Sequence, residues 1–450
     1  MRRAADLPVS TPAAAVLAIL VAAAWIRLGP LVLLAVAAPV VGVVLLALRW
    51  DATALLLPLC LLPFAVRAGG VFVGVTDVIV LGLACCLAIA AAAGLEPPRP
   101  ANPLLLPAIA FVAWTLASAA WAASPAKALQ EAAQRLEFTV VGVALVAALP
   151  VDGRHAHRAL AGLTVGAAAL GIATVGIGLA EHRYLGVYPL GIHKNAAGSL
   201  LSYGLVATLG LRLAAPGRSA RRWLAAAGLA TLAGLVFTGS RGAWIGSLLA
   251  LATVVAMRRP GLVWPVATVT VVVATLFLLV LPPETLGQEA GVHDRYSTAA
   301  VRAETWHQGV EAIEAHPLLG VGAGNFVARL AGRVLQVDPN NLFLLTWAET
   351  GLPGLALLLW FLAGCLRLAW RNVRAASSPK VPVAANAAGV AMLVDAVVHA
   401  QFDIFWVRGT ALAAFLGAGL VVWASRAIAA QEQPPEPTPT PSAIAWSRCP

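Results

Sequence analysis

The chain has 450 residues, of which 60% are hydrophobic and only 11% charged, with a formal net charge of +10. A soluble domain carries about 25% charged residues, so a soluble enzyme or binding module is excluded. The positive balance is no nucleic-acid signal: basic residues of a membrane protein gather in its cytoplasmic loops, and no aromatic-interleaved basic patch is present.

Apolar runs long enough to cross a bilayer recur along nearly the whole length, which predicts an all-α, polytopic transmembrane helix bundle. In chain order the candidate spans are 11–28, 31–48, 52–66, 72–93, 103–122, 136–150, 158–180, 196–214, 223–238, 242–257, 262–281, 342–366, 383–400 and 408–425. Because 52–66 is short, the expectation is twelve to fourteen spans. This divides the chain into an N-terminal bundle over 1–281, a polar loop with interfacial helices over 282–341, and C-terminal helices over 342–425. A Pro-rich tail over 426–450 is too polar to bury a core and is expected to be disordered. The positive start followed by two apolar runs reads as a first anchor helix. The five cysteines form neither a disulfide framework nor a metal-ligand pattern and read as small packing residues.

Arginines mark sidedness. With the N-terminus in the cytoplasm, Arg2, Arg3, Arg49, Arg154, Arg158, Arg218, Arg221, Arg222, Arg258, Arg259, Arg367, Arg371, Arg374, Lys380 and Arg426 all fall inside, as the positive-inside rule requires. Both termini are then cytoplasmic and the 282–341 loop lies outside with seven of the 20 acidic residues.

Charges near membrane depth are costly and tend to be functional, so the outward-facing ones are the candidates. In TGSRGAW (238–244), Arg241 sits at a very short turn among Gly239, Ser240 and Gly242. Small residues admit close approach of a ligand, and a guanidinium fork suits phosphate; a headgroup-snorkelling arginine fits equally well. In TAAVRAETWHQGVEAIEAH, helical spacing places Arg302, Trp306, Val310 and Ile313 on one face, expected to be the bundle-facing face of an interfacial helix, with Glu304, Glu311 and Glu314 pointing away. The simpler alternative is a solvated helix with a partly exposed arginine. His316 reads as the end of that helix.

HRYLGVYPLGIHKN (182–195) offers His193, Lys194 and Asn195 for a sugar or phosphate, although Tyr184 and Tyr188 read as an interfacial aromatic belt. In DPNNLFLLTWAETG, Asn340 or Asn341 suits a helix N-cap, whereas Glu349 lies about two turns inside an apolar run and needs a partner. Arg135 and Glu137 pair with each other or face substrate. Asp395, His399 and Asp403 share a helical face; their ligand set is incomplete for a metal, so a hydrogen-bond network is the expected role. No phosphate-cradling P-loop, no paired-aspartate motif and no Ser–His–Asp order occurs, so the chemistry is assigned to arginines and amides without a metal or cofactor.

TGSRGAW, Arg302 with Trp306 and HPLLGVGAGNF (316–326), NNLFLLTWAETGLPG (340–354) and HAQFD (399–403) together resemble the O-antigen ligase and polymerase superfamily over about 238–403. WAASPAKALQEAAQRLEF resembles a loosely patterned outer segment of the same family. The resemblance implies a GT-C-like integral membrane glycosyltransferase. Such an enzyme moves a glycan from undecaprenyl diphosphate to a second glycan or to lipid A–core at the periplasmic face of the inner membrane, without a metal. It implies that Arg241 and Arg302 hold the lipid diphosphate, with Asn340 at the catalytic position. Arg135, His193, Lys194, Asn195, Asn325, Asn341 and Glu349 are the expected substrate-binding set. Ligases of the family carry histidine where this chain has Asn340, and asparagine is no general base near neutral pH. The departure leans toward a polymerase or exopolysaccharide-type member. Asp338, His193 and Glu349 are candidates for the missing base. The rival readings are a flippase for lipid-linked sugars, which would need a charged path through the spans, and a non-catalytic homologue.

Overall fold

The computed structural model describes residues 65–68, 71–74, 77, 79–85, 102–215, 217–258, 261, 298–330, 333–335, 338–375, 381–403 and 409–432. The expected spans 11–28, 31–48 and 262–281, most of 52–66, and tail residues 433–450 lie outside them.

The described chain is helical, with two added two-stranded hairpins. In order come strands β1 (Ala65–Ala68) and β2 (Val71–Gly74), a short helical stretch over 79–85, then helices α1 (Leu105–Ala117), α2 (Pro125–Arg135), α3 (Arg154–Ala180), α4 (Lys194–Ala214), α5 (Arg218–Thr238) and α6 (Arg241–Arg258). After them come α7 (Thr298–Ala315), strands β3 (Ala328–Leu330) and β4 (Arg333–Leu335), and helices α8 (Leu342–Ala375), α9 (Val381–His399) and α10 (Thr410–Glu432). Both hairpins are antiparallel; β1 and β2 correct the sequence expectation, which placed transmembrane helix over 65–66 and 72–74. Six helices, α3, α4, α5, α8, α9 and α10, are long and apolar enough to cross a membrane; α1 and α6 are shorter apolar helices.

Local chemistry sets the boundaries. Pro125 opens α2, where its missing N–H costs nothing, and the chain then runs without a break through a π-helical turn (Leu136–Gly142) into Val143–Ala147. The span expected over 136–150 is therefore the second half of a longer helix. Gly239 closes α5 in the left-handed region at φ 64°, which lets α6 start two residues later.

The helices are laid against one another by small residues, as expected where lipid offers no hydrophobic drive between apolar surfaces. At the α9–α10 contact, a Cβ on Gly389 would stand 2.3 Å from the Gly417 carbonyl oxygen. Helices α9 and α10 are buried nearly all round, whereas α3 and α5 present exposed Val165, Ile172, Trp223 and Leu229 in the manner of a lipid-facing surface. One end of the bundle gathers the loops 118–124, 181–193, 316–327 and 338–341. Trp121 Nε1 donates to Leu319 O at 3.1 Å between two of these loops, Val187 N donates to Phe237 O at 3.1 Å at the end of α5, and Leu342 N, at the start of α8, donates to Ala400 O at 2.8 Å. At the other end, Trp423 Nε1 donates to Pro150 O at 2.9 Å and the Arg426 guanidinium donates to Ala147 O.

Candidate functional site

The loop-bearing end assembles its polar groups from four helices. Arg241 is the first residue of α6, half-buried beside the left-handed Gly239. The short turn is closed by Trp244 Nε1, which donates to Leu235 O at 2.9 Å. Arg302 lies in the second turn of α7, also half-buried. Burial pushes the Arg302 guanidinium below its ordinary pKa; Asp403 opposes that shift and the like charge of Arg241 adds to it. The two arginines and Asp403 therefore share one electrostatic neighbourhood, although 61 residues and more separate them in the chain.

Beneath this trio, His399 ends α9. Its Nδ1 lies 2.5 Å from Ser199 Oγ on α4, and its Nε2 lies 3.6 Å from Asp403 Oδ2. Gly242 makes room for the ring: a Cβ there would stand 2.5 Å from His399 Cδ2. One turn further in, a Cβ on Gly246 would stand 2.1 Å from Oδ1 of the fully buried Asp395. The small residue after Arg241 thus admits a protein side chain, where the sequence reading had them admit a ligand. Of the three residues expected to form a hydrogen-bond network, His399 bonds across to Ser199 on α4 and lies within ion-pair distance of Asp403, while Asp395 sits one turn deeper against Gly246.

The sequence placed Trp306 and Val310 with Arg302 on the bundle-facing side of α7, and the structure corrects this. Thr305 and Gly309 are buried, Gly309 against Leu344 and Pro339, while Trp306 and Val310 are 36% and 45% exposed. Glu304, Glu311 and Glu314 are exposed as expected, and α7 ends immediately before His316.

Arg135 is wholly buried. Its Nη2 donates to Glu349 Oε2 at 2.9 Å, its Nη1 donates to Thr115 Oγ1 at 3.2 Å, and its guanidinium carbon lies 5.4 Å from the centre of the Phe111 ring. Its close carboxylate partner is Glu349, with Glu131 at 3.9 Å, where the sequence had offered Glu137. Both members of this pair, expected to meet substrate, meet each other instead. Helix α8 is broken just beyond, at Gly351 (φ 68°, ψ −176°) and Pro353, which frees carbonyls of the preceding turn. Those carbonyls are taken up by other segments. Val321 N donates to Ala348 O at 2.9 Å, Gly322 N to Glu349 O at 2.8 Å, and Trp114 Nε1 to Thr350 O at 2.7 Å. Trp347 Nε1 and Leu352 N both donate to Pro317 O at 3.0 Å. The motifs HPLLGVG and ETGLPG are two halves of one latch.

The remaining candidates have local duties. Asn325 accepts from Ser124 N at 2.7 Å and donates to Ser124 O at 3.2 Å, clamping the α1–α2 loop. Asn341 is the N-cap of α8, its Oδ1 accepting from Phe343 N and Leu344 N at 3.1 and 3.0 Å. His193 caps α4 by accepting from Asn195 N at 3.3 Å and stands edge-on to Tyr188. Lys194 opens that helix, half-buried. Asn340 is half-buried with φ 51°, a left-handed conformation that asparagine tolerates well. Asp338, also half-buried, is raised to a pKa of about 6 by burial and then by the nearby Glu131, with Arg135 opposing. Among the described residues no three His, Cys, Asp or Glu side chains converge as metal ligands.

Six membrane-length apolar helices make this a multi-pass membrane protein. Within it, residues 226–359 match the family described as O-antigen ligase. That stretch is what the chain shares with the family, and it supports the resemblance to the O-antigen ligase and polymerase superfamily. The matched segment includes Arg241, Arg302 and both halves of the latch, and ends before His399 and Asp403. A search of curated proteins finds no match.

Proposed function

We propose that this protein is an inner-membrane glycosyltransferase that takes a glycan from undecaprenyl diphosphate at the periplasmic face and joins it to an acceptor, without a metal. The observation that carries the reading is the shared neighbourhood of Arg241 and Arg302 at the loop-bearing end, inside the segment matching the ligase family. Two guanidinium forks side by side repel one another unless an anion lies between them, and a diphosphate is such an anion. Their work would be to hold the diphosphate and stabilise the charge that grows on it as the glycosidic bond breaks. Asn340 in place of a histidine favours a second lipid-linked glycan as acceptor, which makes the reaction polymerisation.

The test uses purified protein in nanodiscs with undecaprenyl-diphosphate glycan, chelator present, and follows release of undecaprenyl diphosphate. A second lipid-linked glycan and lipid A–core are supplied in parallel. Longer lipid-linked chains are the expected product. Glycan on lipid A–core would make the protein a ligase. No release with either acceptor would overturn the proposal.

A further inference from the structure

We infer that Asp403, oriented by His399 and Ser199, is the base that takes the acceptor's hydroxyl proton in the transfer proposed above, and the inference rests on that reading.

The step needs a proton acceptor. The acceptor hydroxyl oxygen bonds to the anomeric carbon, and the bond from that carbon to the diphosphate oxygen breaks. The electron pair leaves on the diphosphate, and the hydroxyl proton passes to a carboxylate oxygen of Asp403. Asn340 cannot take that proton. Glu349 is held at 2.9 Å by Arg135 and is out of reach of a substrate. His193 is committed to capping α4. Asp338 has Glu131 and Arg135 as its charged neighbours, not the two arginines of the donor site.

Asp403 stands where the proton is released. It is an electrostatic neighbour of Arg302, and its side chain is 21% exposed against 7% for His399, so it is the outer member of the pair. If Ser199 gives its hydroxyl proton to Nδ1, the hydrogen of the neutral His399 ring sits on the other nitrogen, the one 3.6 Å from Asp403 Oδ2. That N–H edge biases the carboxylate's orientation, and the ring cannot swing away because α6 passes close behind it at Gly242. Among the described residues, the charged groups that act on this point are Arg241 from α6, Arg302 from α7 and His399 from α9, with the buried Asp395 one turn deeper; α4 contributes the neutral Ser199 and Ser202. His399 and Ser199 are positioning residues. Asp403 is the group that touches substrate.

The experiment measures undecaprenyl diphosphate release and, separately, binding of the undecaprenyl-diphosphate glycan. Asp403→Asn should lower kcat by about 10²–10⁴-fold, the usual weight of general base catalysis, while donor affinity stays near wild type. Sodium formate, a diffusible carboxylate, should restore turnover to Asp403→Ala, which a purely structural role would not allow. His399→Gln and Ser199→Ala should lower kcat by about tenfold with the donor KM unchanged, as loss of orientation without loss of the base. Asp403→Glu keeps a carboxylate and should retain more activity than Asp403→Asn; its binding of donor also reports whether the fold survives. Wild-type turnover in Asp403→Asn would overturn the inference, and so would formate rescue of Asp338→Ala in place of Asp403→Ala. A wild-type protein that binds donor but transfers nothing would instead sink the transferase reading on which it stands.

Discussion

Arg135 and Glu349 lie 214 residues apart in the chain and meet at 2.9 Å with their side chains almost wholly removed from solvent. The pair joins α2 to α8 beside the latch, so the α2 segment, which precedes the matched residues 226–359, and the last motif within them form one unit. Breaking one partner leaves a buried charge, which costs about 3–5 kcal/mol, whereas replacing both with apolar groups can be close to neutral. Arg135→Leu and Glu349→Leu should each lower thermal stability in detergent sharply, and the double variant should recover most of the loss. Equal damage in single and double variants would mean the pair is not coupled.

Gly351 makes a second prediction. Its φ and ψ belong to a region open essentially to glycine alone, which costs any other residue about 1–3 kcal/mol. A Cβ there would also stand 2.0 Å from the Leu318 carbonyl oxygen. Gly351→Ala should therefore open the latch and reduce the yield of folded protein. Leu359→Ala, on an exposed face of the same helix, should not. The comparison is read by size-exclusion profile.

Arg241→Ala and Arg302→Ala should leave thermal stability near wild type, because both residues are only half-buried, and should lower turnover by about 10²–10³-fold, the scale on which a single donor stabilises developing charge. Lysine at either position should not restore full activity, since an ammonium lacks the planar fork. Wild-type turnover in both alanine variants would remove the arginines from the mechanism.

Asp338 sets a pH dependence. Its folded pKa of about 6 lies above its ordinary value of 3.8, so the folded state holds the proton more tightly than the unfolded chain. The stability it contributes is full below about pH 4 and is lost as pH rises through about 6. Asp338→Asn should flatten thermal stability between those pH values, a difference that melting curves across the range will show.

Much of the scaffold was legible. The apolar runs 158–180, 196–214, 242–257 and 383–400 became helices over 154–180, 194–214, 241–258 and 381–399, because a membrane helix advertises itself by composition along its whole length. What could not be read was which residues meet across helices. Ser199 and His399 are 200 positions apart, and nothing local to either names the other. The inner face of α7 was misread for a different reason. Apolar side chains mark the interior only where the outside is water, and Trp306 and Val310 show that the rule lapses on a helix at the edge of a membrane bundle. The glycines of TGSRGAW were visible, but a small residue that admits a ligand and one that admits a histidine look the same in sequence.

Helix α10 is buried along nearly its entire length, between α9, α8 and the α2 extension, yet it is synthesised after all of them. Its slot must stay open to lipid, or to a membrane insertase, until translation has passed Glu432. Closure of this bundle thus waits for α10: a chain stalled before Thr410 has every earlier described helix, but its buried α9 lacks the partner that covers it.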